Sequence, residues 1–127
     1  MRKLLLVTGV VFSVANFSKK TIKYITLNYV GYNAVDDPVY PMYGGATITN
    51  KCIGPIEYEQ FVDYDFEYVW FTDIVDYVKM KSMVVEYKDG TKKKFTGKVL
   101  EPVGDYLESL MVPESLVKDL APIEKED

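Results

Sequence analysis

Side chains able to do chemistry are few in this chain of 127 residues: grouped carboxylates, one lysine cluster and a single thiol. The carboxylates are Asp36-Asp37, then Asp63, Asp65 and Glu67, then Asp73 and Asp76. A hard cation such as calcium needs several oxygens converging from loops. Asp63, Asp65 and Glu67 recur every second residue, which puts them in a row on one face of a strand. That spacing predicts a solvated face with lysine partners across the sheet. Asp36 and Asp37 sit in a turn sequence and are the better cation candidate, though two carboxylates make a poor ligand set. Lys92-Lys93-Lys94, with Lys88 and Lys98 nearby, could meet phosphate or an acidic partner, but reads first as the solvated edge of a hairpin.

Cys52 is the one thiol, and histidine is absent. Zinc sites built from Cys and His are therefore excluded, as is an internal disulfide. So is every mechanism with an imidazole as acid, base or orienting group. Cys52 would need a lysine or a helix terminus to become a nucleophile, and the default for such a thiol is a buried spectator. We therefore expect no enzyme, no catalytic residue, no metal and no cofactor. A net charge of −4 argues against nucleic acid held by bulk electrostatics. No membrane span is expected, because the apolar run at the start is too short to cross a bilayer as a helix.

The elements that must position these residues are strands. Apolar residues make up 48% of the chain and aromatics 14%, with 11 tyrosines, a composition suited to half-buried pleated surfaces. Val10, Phe12 and Val14 alternate with Val11, Ser13 and Ala15. Ile25, Leu27 and Tyr29 alternate with Tyr24, Thr26 and Asn28. Val62, Tyr64, Phe66, Tyr68 and Trp70 share one face opposite Asp63, Asp65 and Glu67. Met83, Val85 and Tyr87 face in, with Val84, Glu86 and Lys88 out. Turns are predicted at 16–20, at 33–38, at Gly54-Pro55 and at Lys88-Asp89-Gly90-Thr91, where Gly90 can take the positive φ of a tight hairpin. Pro41 and Gly44-Gly45 break the stretch 39–50 into an edge strand and a second short strand.

This pattern predicts an all-β, antiparallel β-sandwich over residues 1–100, a barrel being the alternative, with a mixed, partly helical and charged extension over 101–127. In the extension, Asp105 could cap a short helix burying Leu107, Leu110 and Met111. Pro113 could open another burying Leu116, Val117 and Leu120. The charged PIEKED end is expected to fray. The opening residues also imitate a signal peptide with a small-residue site near Ala15. The alternation from Val10, and Gly9 breaking the apolar run, favour an uncleaved strand. Asn16-Phe17-Ser18 matches a glycosylation sequon.

Several segments together resemble a known class. NFSKKTIKYITLNYVGYNAVDDPV at 16–39, GPI at 54–56, FEYVWF at 66–71 and VKMKSMVVEYKDGT at 78–91 look like a bacterial immunoglobulin-like module. They are similar to the FxLYD and fibronectin-type-III-like domains of exported bacterial proteins. The resemblance spans roughly residues 10–98. It implies a seven-stranded sandwich that binds or adheres and has no catalytic residues. Met1 stands almost directly on the first strand, and 101–127 lie outside the module. An unprocessed sandwich with an extra arm is similar to the decoration or auxiliary proteins of bacteriophage capsids.

The resulting expectation is a structural virion protein, assembled in the host cytoplasm and attached to capsid or other virion proteins through its termini and sheet edges. An exported cell-surface or periplasmic adhesion domain is the alternative. Partner contacts are expected at Tyr40 and Tyr43, and at Leu107, Leu110, Met111, Leu116 and Leu120.

Overall fold

A computed structural model of the chain describes residues 2–4, 7–96, 108–112 and 122–126. In chain order these form β1 (Arg2–Leu4), β2 (Val7–Asn16), β3 (Ile22–Tyr32), β4 (Pro38–Val39) and β5 (Ile48–Ile56). There follow β6 (Phe61–Trp70), β7 (Tyr77–Tyr87), β8 (Lys92–Phe95), β9 (Glu108–Val112) and β10 (Pro122–Glu126), with no helix among the described residues. The chain is all-β, as its alternation requires. One sheet is β1-β2-β6 with β9 also on β2. The other runs β10-β8-β7-β3-β4 with β5 also on β3. Every pairing is antiparallel except that of β9 with β2.

The core lies between the sheets. Val10, Phe12 and Val14 of β2 are fully buried, as are Ile25, Leu27 and Tyr29 of β3 and Met83 and Val85 of β7. Phe12 meets Tyr29 of the opposite sheet edge-on, ring centroids 5.0 Å apart, and Tyr29 meets Trp70 at 6.1 Å. Burying a side chain of this size stabilises the fold by about 1.5–3 kcal/mol. Trp70 anchors the core, and Gly31 gives it room: a Cβ on Gly31 would lie 2.6 Å from Trp70 Cζ2.

The alternation of β6 fails at one point. Val10 pairs with Phe66 and Thr8 with Trp70, so Gly9 alone opposes Glu67, Tyr68 and Val69. This three-against-one bulge presses the β6 backbone onto Gly9, where a Cβ would sit 2.5 Å from the Phe66 carbonyl oxygen. Phe66 and Trp70 still face the core. Tyr68, expected inside with them, is turned out and stands 67% exposed.

Other expectations are also corrected. Gly54-Pro55 is no turn but lies within β5, where the register against β3 shifts between Ile22 and Tyr24. The segment expected to be a helix over Leu110 and Met111 is the strand β9. Leu110 stands opposite Val14 and Met111 opposite Ala15. A helix this short has little stability of its own, whereas the edge of β2 offers a ladder of backbone partners. Leu107, Leu116 and Leu120 lie outside the described residues. The lysine strand β8 is not an outer edge, because the PIEKED end pairs with it as β10. Glu124 stands opposite Lys94, Lys125 opposite Lys93 and Glu126 opposite Lys92.

The DGT hairpin closes as its residues dictate, with Gly90 at φ 88°. Asp89 Oδ1 accepts from the Thr91 amide at 2.9 Å and from its hydroxyl at 2.6 Å, and Lys20 Nζ approaches Asp89 at 2.9 Å. The Thr91 hydroxyl and amide, then Lys20, hold the Asp89 carboxyl well below the usual carboxylate range. A carboxylate with a lowered pKa in the folded state contributes stability above its ordinary value, about 3.9, and loses it as pH falls further. Asp89→Asn is therefore expected to flatten the acid side of the melting-temperature profile between about pH 5 and about pH 2. Parallel acid limbs for wild type and variant would refute this role.

Candidate functional site

The two sheets leave one long side of the sandwich open among the described residues, where β5 and β6 each pair on one flank only. Which backbone groups face outward follows from the alternation of antiparallel ladders. The Asn16 amide and carbonyl both bond to the 59–60 segment that leads into β6. Stepping by two, Val14, Phe12 and Val10 bond Val62, Tyr64 and Phe66. Asp63 and Asp65 therefore turn their amides and carbonyls to the open side. On β5 the marker is Tyr64, whose hydroxyl donates to the Ile53 carbonyl at 2.9 Å across the gap between the sheets. Ile53 faces outward, and by the same period so do Lys51 and Thr49.

Beside these groups lies a cleft of about 550 Å³, lined among others by Pro41, Tyr43, Ile48, Asn50, Phe66 and Tyr68. Ile48, Phe66 and Val69 pack on the core from its floor and are only partly covered. Asn50 ties the floor to the interior by accepting from the buried Tyr29 hydroxyl. Burial, and secondarily the neighbouring Cys52, push the Tyr29 hydroxyl well above the ordinary tyrosine range. Asp65 and Glu67 also line it.

The expected contact residues separate at this point. Tyr43, 84% exposed, lines the cleft; Tyr40 is exposed in the same 40–47 segment but is not part of the lining. Leu110 and Met111 belong to β9, on the far flank of β2 from β6. Tyr68 was missed because only the bulge opposite Gly9 brings it to the surface. Asn50 and Ile48 carry no chemical signal in the sequence, since their role comes from standing at an unpaired edge.

The chemical candidates resolve differently. Asp36, at φ 66°, accepts a hydrogen bond from the Tyr77 hydroxyl at 2.6 Å. That bond, with lesser contributions from burial and nearby charge, pushes the Tyr77 hydroxyl up to about 12. Among the described residues no group of three or more Cys, Asp or Glu is arranged to hold a metal ion. Cys52 lies buried in β5 and burial pushes its thiol up to about 12, so it is protonated at neutral pH. Asn16, the first residue of the sequon match, is wholly buried. Its Nδ2 donates to the carbonyls of Lys20 at 3.0 Å and Ile56 at 2.9 Å. Its Oδ1 accepts from the Ser18 amide and hydroxyl. A glycan has no access to that nitrogen, and the Asn-x-Ser pattern serves as an internal clamp.

What the site offers, among the described residues, is a polar-walled, aromatic-rimmed cleft between two strand edges. The chain matches no family model, and no curated protein and no solved structure is significantly similar to it.

Proposed function

We propose that the chain is a non-enzymatic structural module that attaches to a protein surface, as an auxiliary or decoration component of a virion. The supporting observation is uncovered aromatic surface gathered at one open side of the sandwich. Tyr43 and Tyr68 stand exposed on the cleft rim, with Tyr40 and Met42 exposed in the adjoining segment. Tyr and Met are enriched where proteins meet, and tyrosine contributes a large rigid contact at small entropic cost.

The test is retention of partners from the native source by tagged full-length chain, read by mass spectrometry. Capsid or other virion proteins are expected on the wild type. At least a tenfold loss is expected with the double variant Tyr43→Ala and Tyr68→Ala, whose melting should match wild type because both side chains are exposed. Equal retention by both proteins, or a chain that elutes alone, overturns the proposal.

A further inference from the structure

We infer that the partner presents an apolar patch ringed by lysine or arginine, and that it seats on the loop end of the sandwich, over Val35, Phe71 and Ile74 as well as the tyrosines of the 40–47 segment. The inference rests on the protein-binding reading above and names the surface that the partner must offer.

Three loops meet at this end. The 71–76 loop crosses from one sheet to the other between β6 and β7, and its Val75 packs beside Trp70 at Gly31. The Asp76 amide donates to the Tyr32 carbonyl at 2.7 Å. The 33–37 turn is joined to it where Asp36 accepts from the Tyr77 hydroxyl, and Tyr77 stacks on Tyr32 with ring centroids 5.2 Å apart. The 40–47 segment leaves β4, which pairs with the last residues of β3. Val35, Tyr40, Met42, Tyr43, Phe71 and Ile74 are exposed on these loops, and the exposed Tyr68 adjoins them at the cleft rim. Among the described residues, the large apolar side chains exposed elsewhere are Ile53, Tyr58 and Phe61. Scattered exposed apolar residues are ordinary, whereas a gathered patch marks a contact surface.

The charge on the loops argues for the occupant. Together they carry four aspartates, Asp36, Asp37, Asp73 and Asp76, all exposed, and no lysine or arginine. Tyr77 engages Asp36, but the carboxylates of Asp37, Asp73 and Asp76 make no hydrogen bond or ion pair among the described residues. Lys79 and Lys81 of β7 are drawn to Tyr32 instead: Lys81 Nζ donates to its hydroxyl at 3.0 Å and Lys79 lies over its ring. The turns at the other end hold both signs, with Lys19, Lys20 and Lys88 against Glu57, Glu59 and Asp89, and there Lys20 pairs with Asp89. An apolar centre inside a charged rim is the anatomy of a protein interface, and the sign of the rim selects partners by complementarity. The same rim disfavours a second copy docked end to end, which would set aspartates against aspartates, and it repels anionic lipid and nucleic acid.

The test uses the full chain and the triple variant Asp37→Asn, Asp73→Asn and Asp76→Asn. Its melting should not fall below that of wild type, because the three carboxylates are exposed and unbonded. The probe is a pair of amphipathic helical peptides with leucine along one face, the other face being lysine in one and glutamate in the second. The lysine peptide is expected to bind wild type about tenfold more tightly than the glutamate peptide, and to shield Tyr40, Met42 and Phe71 from hydroxyl-radical oxidation. The triple variant should associate with it about tenfold more slowly and lose most of the salt dependence. If the variant melts lower, wild type decides alone: its association must slow by about tenfold as salt rises. Equal binding of the two peptides, or shielding of Ile53, Tyr58 and Phe61 instead, overturns the inference. So does shielding that grows with protein concentration before any peptide is added, which makes the occupant a second copy. Flotation of the chain with phosphatidylcholine vesicles overturns it too, in favour of a bilayer. Retention from the native source separates the two readings. A partner held as tightly and as fast by the triple variant as by wild type sinks the charged rim and leaves the binding reading standing. If no partner is retained, the binding reading falls and this inference with it.

Discussion

Replacing Asn16 with alanine is expected to cost about 3–5 kcal/mol of folding stability, because buried polar groups would lose their partners together. The amide side chain joins Lys20 and Ile56 through their carbonyls and receives the Ser18 amide and hydroxyl. Its own backbone meanwhile bonds Glu59 and Gln60. Each buried group left unsatisfied costs about 1–3 kcal/mol, which sets the range when partial relaxation is allowed. Against a total stability of about 5–15 kcal/mol the loss is severe. It should lower the melting temperature by roughly 10–20 °C. A drop of only a degree or two would show that water replaces the side chain without penalty. Asn16→Asp is no rescue: it keeps the acceptor for Ser18, loses both donors to the carbonyls and buries a charge.

Phe12→Ala is the second large effect, expected at about 3–5 kcal/mol from urea unfolding. Phe12 has no exposed surface and bridges the sheets. Its ring lies edge-on to Tyr29 at 5.0 Å and to Phe66 at 6.2 Å. Truncation removes both ring contacts and leaves a cavity whose rigid aromatic walls cannot close. Phe12→Leu should cost clearly less, since most of the volume is kept and only the edge-on contacts go. If the two variants were equally destabilised, the loss would come mainly from the ring geometry and not from the filling of space.

The alternation of small and large, apolar and polar, made β2, β3 and β7 legible from the residues alone, because each has one face on the core and one outside. Gly90 likewise announced its hairpin. Where the residues misled, the deciding partner stood far away in the chain. Tyr68 obeys the period-two rule of its own segment but is displaced by the missing side chain of Gly9. Leu110 and Met111 suit a helix as well as a strand, and only the vacant flank of β2 decides between them. Asn16 looks like a surface acceptor until the Ile56 carbonyl, forty residues on, arrives beside its amide. The cleft was half legible: Pro41 and Gly44-Gly45 marked a break with exposed tyrosines, while its β6 wall exists only because strands from different sheets end up side by side without pairing to each other.

The Asn16 clamp has a consequence for the sandwich as a frame. At that end, Lys20 reaches both Asp89 and Thr91, so the turns at 16–20, 56–60 and 88–91 are knotted together through shared groups. At the Tyr43 end, Gly44 and Gly45 have nothing within 4 Å of where a Cβ would sit. Added sequence is thus expected to be accommodated at the Gly44 end and to disrupt the knotted one. A fluorescent reporter spliced between Gly44 and Gly45 would leave the knot untouched and sit at the lip of the cleft, where occupancy changes its surroundings first.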